Sequence, residues 1–190
     1  LIICSLWEFF FTMEKIILLE SDSIEKTISR LSHELIEKNP DGEFSIIGIR
    51  NRGDIIARKI KSRIEQTINK TIEFGTIDVT FYRDDYRQHL PSPKIGTTEI
   101  LFEIEGKTLI LVDDVLFTGR TIRSAMDEVF SFGRPSSIQL VVLVDRGHRE
   151  IPIKASFVGK NYPTSKNEHI HVNVKEIDGE DSIVLRRYKK

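Results

Sequence analysis

The stretch Leu109–Thr121, LILVDDVLFTGRT, decides how this chain is read. Four apolar residues run into two adjacent acids. A Thr-Gly pair, an arginine and a second threonine follow. The apolar run has the character of a short buried strand. On this reading the strand is Lys107 to Val112, and Asp113 and Asp114 emerge where it stops. The turn that follows leads into a helix over Thr121 to Phe132. Backbone N–H groups at such a helix start lack intrahelical partners, and the dipole there favours an anion. Gly119 lets the backbone approach a ligand closely, and Thr118 and Thr121 add hydroxyls. A phosphate monoester fits this turn. The two acids repel each other, so a bound cation or hydroxyl donors must compensate them. A ribose supplies two vicinal hydroxyls, and Mg²⁺ supplies charge. The plainer alternative is a capped helix beside two exposed loop acids.

The flanking sequence has the same strand–helix rhythm. Ile24, Ile28, Leu31 and Leu35 form a helical stripe, with Asp22 and Glu25 spaced to cap its start. Asn39-Pro40-Asp41-Gly42 ends it. FSIIGI (Phe44 to Ile49) reads as a buried strand, and Gly53 opens a second helix with Ile56, Ile60 and Ile64 on one face. TIDVTFY (Thr76 to Tyr82) alternates as a half-buried strand, and SIQLVVLV (Ser137 to Val144) is fully apolar. Between them lies a polar loop, 84–98, with two prolines; long loops inside compact domains are usually functional or mobile. Alternating strands and helices imply an α/β fold, with a mainly parallel twisted sheet covered by helices on both faces. Ligands bind such sheets at the carboxyl ends of the strands. Polar clusters at Arg50 to Gly53, Asp113 to Thr121 and Asp145 to Arg149 stand at those ends, so they are expected to converge on one crevice.

The chain has 190 residues, suited to one domain. Hydrophobic residues make up 39% and charged residues 30%, which excludes a disordered chain. Net charge is -1, so any nucleic-acid contact must come from a local patch rather than the bulk field. The segment 1–12 holds the only Cys and the only Trp, Cys4 and Trp7. It has no basic n-region and no small-residue cleavage site, and it is too short before its first charge to span a bilayer. We read it as a mis-called extension before Met13, with 13–190 as a single domain. Thiol and cysteine–metal chemistry then drop out, and a cytoplasmic location is the default.

LILVDDVLFTGRT resembles the signature of type I phosphoribosyltransferases, which use 5-phosphoribosyl-1-pyrophosphate (PRPP). RLSHELIEKN, GIRNRG, IDVTFYRDD and GRPSSIQLVVLVDRGHREIPIKASFVGKNYPTS resemble the PyrR family of pyrimidine operon regulators, from about Ile16 onward. That resemblance implies the type I fold with a small hood and a flexible loop. It implies uracil phosphoribosyltransferase activity, converting uracil and PRPP to UMP and diphosphate with Mg²⁺. It also implies regulation of pyrimidine genes through leader RNA in response to UMP and UTP, in a homodimer or larger homo-oligomer with no membrane role.

Carried over residue by residue, Asp113 and Asp114 hold the ribose hydroxyls, and Val115, Leu116, Phe117, Thr118, Gly119, Arg120 and Thr121 wrap the 5-phosphate. Asn51 and Arg52 meet pyrophosphate, with Arg52 counted beside the two acids as catalytic; Asn51 stands where many relatives would carry Thr. Arg83 precedes the mobile loop, which closes over PRPP. Arg146 faces the nucleotide, and Ile170 lies at the base-contacting end. Mg²⁺ arrives with PRPP rather than in a protein cage. Ser29, Arg30, His33, Arg149, Lys154 and Lys160 fall in segments that resemble regions of RNA contact; the alternative for them is a solvated basic face or a subunit interface. His148 reads as a loop residue bonding locally or touching RNA. A purine-base phosphoribosyltransferase shares the phosphate loop, and an RNA attenuator with vestigial catalysis shares the rest, so both remain as alternatives.

Overall fold

The computed structural model describes residues 13–79, 97–165 and 167–188. The segment 1–12, Arg83, His89 and all of the loop 84–98 except Thr97 and Thr98 lie outside the described residues.

Eight strands and four helices follow in the order β1 (Met13–Glu20), α1 (Ser21–Lys38), β2 (Phe44–Ile49), α2 (Gly53–Ile68), β3 (Phe74–Ile77), β4 (Thr108–Leu116), α3 (Arg120–Phe132), β5 (Ser137–Asp145), β6 (Phe157–Asn161), β7 (Glu168–Asn173), α4 (Lys175–Asp178) and β8 (Ser182–Tyr188), counted among the described residues. They form two sheets. The larger is parallel, in the order β3-β2-β4-β5-β6. The smaller, β1-β8-β7, is antiparallel.

The parallel sheet is buried on both faces. α1 and α2 cover one face, where Ile28, Leu31, Leu35, Ile56, Ile60 and Ile64 meet Ile46, Ile110, Val112, Val141 and Leu143. α3 covers the other through Ile122, Ala125 and Val129, against Ile47, Leu111 and Val142. Each fully buried aliphatic side chain contributes roughly 1.5–3 kcal/mol. Two glycines set the spacing. A Cβ on Gly48 would sit 2.4 Å from the Asp54 Cα, so β2 and α2 touch there. A Cβ on Gly159 would sit 2.4 Å from the Leu143 carbonyl oxygen and 2.8 Å from Thr27 Cγ2, so α1 lies directly on β6.

Three expectations change. Asp113 and Asp114 are not beyond the strand: β4 runs on to Leu116, because Val115 and Leu116 still pair with Val144 and Asp145. Both acids are therefore buried, at 2% and 6% exposure. Asp22 does not cap α1. Glu20 occupies the cap position, without a side-chain bond, and Asp22 sits within the first turn. β3 starts at Phe74 and ends at Ile77, because its pairing with β2 ends there. Among the described residues no helix is long and apolar enough to cross a membrane.

Candidate active site

The parallel order puts the carboxyl ends of β2, β4 and β5 side by side, and the three polar clusters meet there. A Cβ on Gly53 would lie 2.7 Å from the Val112 carbonyl oxygen and 2.9 Å from the Asp113 Cα. The start of α2 is thus pressed onto the first acid. The Asp113 carboxylate accepts the Asp114 backbone N–H at 2.9 Å. The peptide bond between Arg50 and Asn51, which enters α2, is cis.

The loop after β4 is built by its backbone. Gly119, with φ +94°, caps α3 in a conformation that side chains rarely adopt. Thr118 is buried, and its hydroxyl accepts the Arg120 N–H at 3.2 Å. Its carbonyl accepts the N–H groups of Glu150 and Ile151 at 3.0 and 3.1 Å. Arg120 pairs with Glu150 at 2.8 Å. Arg149 folds inward over the same loop. Its guanidinium donates to the carbonyls of Phe117 at 2.8 Å and Ile153 at 3.0 Å, and pairs with Asp145. Such bonds fix the loop that leads into the start of α3.

Arg146 is buried at 4% exposure. Its guanidinium lies 3.9 Å over the Phe117 ring and donates to Thr164 Oγ1 at 3.1 Å and the Glu168 carbonyl at 2.6 Å. His148, with φ +60°, bonds the Thr164 carbonyl and meets Phe117 edge-on. β7 of the antiparallel sheet, the hood, thus meets the end of β5.

Arg52 reaches the hood too, donating to both oxygens of Asp178 at 3.2 and 2.9 Å. Burial alone would raise the Asp178 pKa, but Arg52 and the Val174 N–H outweigh it and hold the carboxyl below its ordinary range. Asp178 was missed in the sequence because a four-residue helix carries no periodic signal. Asp54, in the first turn of α2, shows the opposite balance: burial pushes its carboxyl up.

Not every candidate side chain enters the crevice. Ile170 packs into the core with Val172, so the crevice-side residues of β7 are His169 and His171. Burial first, then Arg146, lowers the His169 pKa. Ser29, Arg30 and His33 sit on α1 away from the crevice turn. Arg30 binds Glu34 and donates to the carbonyls of Val158 and Gly159 at 3.1 and 2.6 Å, beside exposed Lys160. Arg149 braces the turn after β4, and exposed Lys154 follows it.

Residues 17–177 match the phosphoribosyl transferase domain. The chain is 51% identical over 174 residues to the bifunctional protein PyrR of Elusimicrobium minutum, covering 91% of this chain and 97% of that one. It belongs to the PyrR family. The bifunctional protein PyrR of Clostridioides difficile is 48% identical, with 92% and 99% of the two chains covered. The hypoxanthine phosphoribosyltransferase of Trypanosoma cruzi superposes with a TM-score of 0.69 over 91% of this chain and 97% of that one. At 18% identity that likeness concerns the fold alone. The PyrR chain thus has the type I fold that the strand–acid–turn string implies, and the antiparallel sheet is its hood.

Proposed function

We propose that this PyrR chain transfers the 5-phosphoribosyl group of PRPP to uracil, giving UMP and diphosphate, and that it also regulates pyrimidine genes through leader RNA. The observation that carries the enzymatic reading is the pair of buried acids in β4, joined directly to a backbone-built anion turn and flanked by Arg52 and Arg146.

Two acids buried side by side need hydroxyl donors or a cation. The ribose 2- and 3-hydroxyls meet Asp113 and Asp114, and the turn Val115–Thr121 receives the 5-phosphate. This fixes the sugar at both ends, so C1 is presented toward Arg52. As the C1–O bond breaks, negative charge grows on the pyrophosphate, and Arg52, with the backbone around Asn51, is aimed to stabilise it. Mg²⁺ brought with PRPP would neutralise phosphate charge, with no full protein cage needed to hold it. Uracil enters beside Phe117 under the hood; its N1 bonds C1 as the C1–O bond to pyrophosphate breaks, and the N1 proton passes to solvent or to the leaving pyrophosphate. The protein works in the cytoplasm as a homodimer or larger homo-oligomer.

RNA binding rests on a separate surface, formed by Ser29, Arg30 and His33 on α1, where Arg30 bonds β6 beside Lys160. Cations there hold phosphates and exposed loop bases give specificity, with UMP and UTP in the crevice setting the response.

The experiment that tests the first reading is product formation from PRPP and Mg²⁺ with uracil, orotate, hypoxanthine and guanine offered separately. UMP from uracil alone is expected. Turnover of hypoxanthine or guanine instead would replace the base assignment with a purine one. No turnover with any base, together with a leader-RNA gel shift sensitive to UMP, would make the chain an attenuator with vestigial catalysis.

A further inference from the structure

β7 alternates over His169–Val172. Ile170 and Val172 enter the core, so His169 and His171 lie on the opposite face. The antiparallel register sets Val184 opposite His171 and Arg186 opposite His169. His171 and Arg186 are therefore diagonal neighbours on one face. Val184 is fully buried on that face, whereas His169 is exposed, so the face is covered only in part, around His171. It turns toward the crevice: β7 lies against β4, and Asp114, Arg52, Asp178 and Arg186 all act on the His171 ring. No hydrogen bond from a described residue meets that ring. Arg186 Nε is buried and likewise has no hydrogen-bond partner among the described residues. A buried polar atom without a hydrogen-bond partner among the described residues, Arg186 Nε, thus stands beside His171 at this corner, next to the arginine that the proposed reaction aims at pyrophosphate.

We propose that the hood face bearing His171 and Arg186 is the far wall of the pyrophosphate site, and that the His171 imidazole hydrogen-bonds the leaving pyrophosphate. This rests on the reading of the crevice as a PRPP site, and adds to it a contact from a sheet that the phosphate-loop string does not include.

The charges around the ring explain how such a contact works. Burial first, then Arg186 of β8 and Arg52 ahead of α2, lower the His171 pKa; Asp114 of β4 and Asp178 of α4 oppose them and are outweighed. The ring is therefore neutral at neutral pH. An arriving pyrophosphate brings several negative charges and favours the imidazolium. A proton passes from solvent to the ring as the anion binds, and a charge-assisted bond forms. On release the proton returns to solvent. Pyrophosphate affinity accordingly rises as pH falls toward the pKa of the free ring, and levels off below it, where the ring is already charged.

The test is calorimetric titration of the full chain with inorganic pyrophosphate and Mg²⁺, near neutral pH, in two buffers of different ionisation enthalpy. Wild type, H171A and H171N are compared. Pyrophosphate's own protonation is common to all three and cancels in the difference. Wild type is expected to take up more protons than H171N. H171A is expected to bind pyrophosphate about tenfold more weakly, the loss of one bond to a charged group, with the KM for uracil within about twofold. H171N regains part of that affinity by offering an amide, without the pH dependence; a merely structural histidine moves neither the proton count nor its slope with pH. Equal proton uptake in wild type and H171N would overturn the proposal, as would wild-type affinity in H171A. If wild type binds while the variants match it, only the hood contact falls. If wild type itself fails to bind pyrophosphate, the PRPP reading falls with it.

Discussion

In the parallel sheet, function is held by backbone. The anion turn is shaped by Gly119, by the carbonyl bonds of Thr118 and by the inward-folded Arg149. Its side chains matter mostly for where they let the main chain go. In the hood, attachment is held by charged side chains. Asp178 meets Arg52, and Lys59 of α2 reaches Asp181 at 2.9 Å and Glu176 at 3.9 Å. Backbone frames are rigid because many bonds act together, whereas ion pairs at a surface are weak, screened and exchangeable. The contrast teaches that the first region can pre-form a site for a fixed part of the substrate. The second can trade partners as the anionic part arrives and leaves.

The sharpest way to break this comparison is at the acids. D113N/D114N removes two charge-assisted contacts of about 2 kcal/mol each, so kcat/KM should fall by about 10³-fold. The far-ultraviolet dichroism should stay that of the wild type, since amides of the same shape fit β4. Normal turnover in this variant would take the acids out of the site.

Spacing in the parallel sheet comes next. In G159A the new methyl meets the Leu143 carbonyl oxygen and Thr27, so α1 must lift from β6. The expected loss is about 1–3 kcal/mol in urea unfolding, with turnover little changed, because this contact is remote from the acids. The same methyl in G53A presses on Val112 and Asp113. It should cost similar stability and also lower turnover. Equal activity losses in the two variants would mean that the frame is not local to the crevice.

The hood tie should give a smaller effect. The depressed native pKa of Asp178 adds stability above its ordinary value of 3.8. That stability is lost as pH falls through the lower native value. D178N should therefore cost only about 0.5 kcal/mol near neutral pH, after discounting for solvent around the pair. The difference from wild type should close as pH falls below the ordinary value of 3.8. A constant difference across that range would assign the loss to packing instead of charge.

The same contrast explains what could be read in the sequence. α1, β2, α2, β4, α3 and β5 each carry an unbroken apolar run or stripe, as in Ile24-Ile28-Leu31-Leu35 or SIQLVVLV, and these local patterns are enough to place them. The hood has no such signal. EHIHVN and SIVLRRY are short and mixed. β1 finds its partner only in β8, from Met13 opposite Tyr188 to Glu20 opposite Ser182, near the other end of the chain. Pairings that distant leave no local periodicity. Asp113 and Asp114 were misplaced by the same logic: acids look like strand ends in one dimension, but the pairing of Leu116 with Asp145 carries β4 past them. The crevice ends of β2, β4 and β5 were legible because each polar cluster directly follows an apolar run. His171 and Asp178 were not, since their role depends on which face of a distant sheet they occupy.

The smallest expected effect on turnover separates the two activities. His33 and Lys160 are exposed on α1 and β6, on the far side of the packing between Thr27 and Gly159. H33A and K160A should leave uracil turnover within about twofold, the usual range for surface substitutions. If leader RNA binds this face, each lost phosphate contact lowers affinity on all sequences and reduces the salt slope by about one. Arg149 makes the useful control. Its guanidinium is committed to the Phe117 and Ile153 carbonyls and Asp145, so R149Q should loosen the phosphate turn and reduce PRPP affinity whether or not RNA is present. An R149Q chain with intact turnover but lost RNA binding would place Arg149 on the RNA surface. The α1–β6 face and the phosphate turn would then have to be parts of one continuous interface.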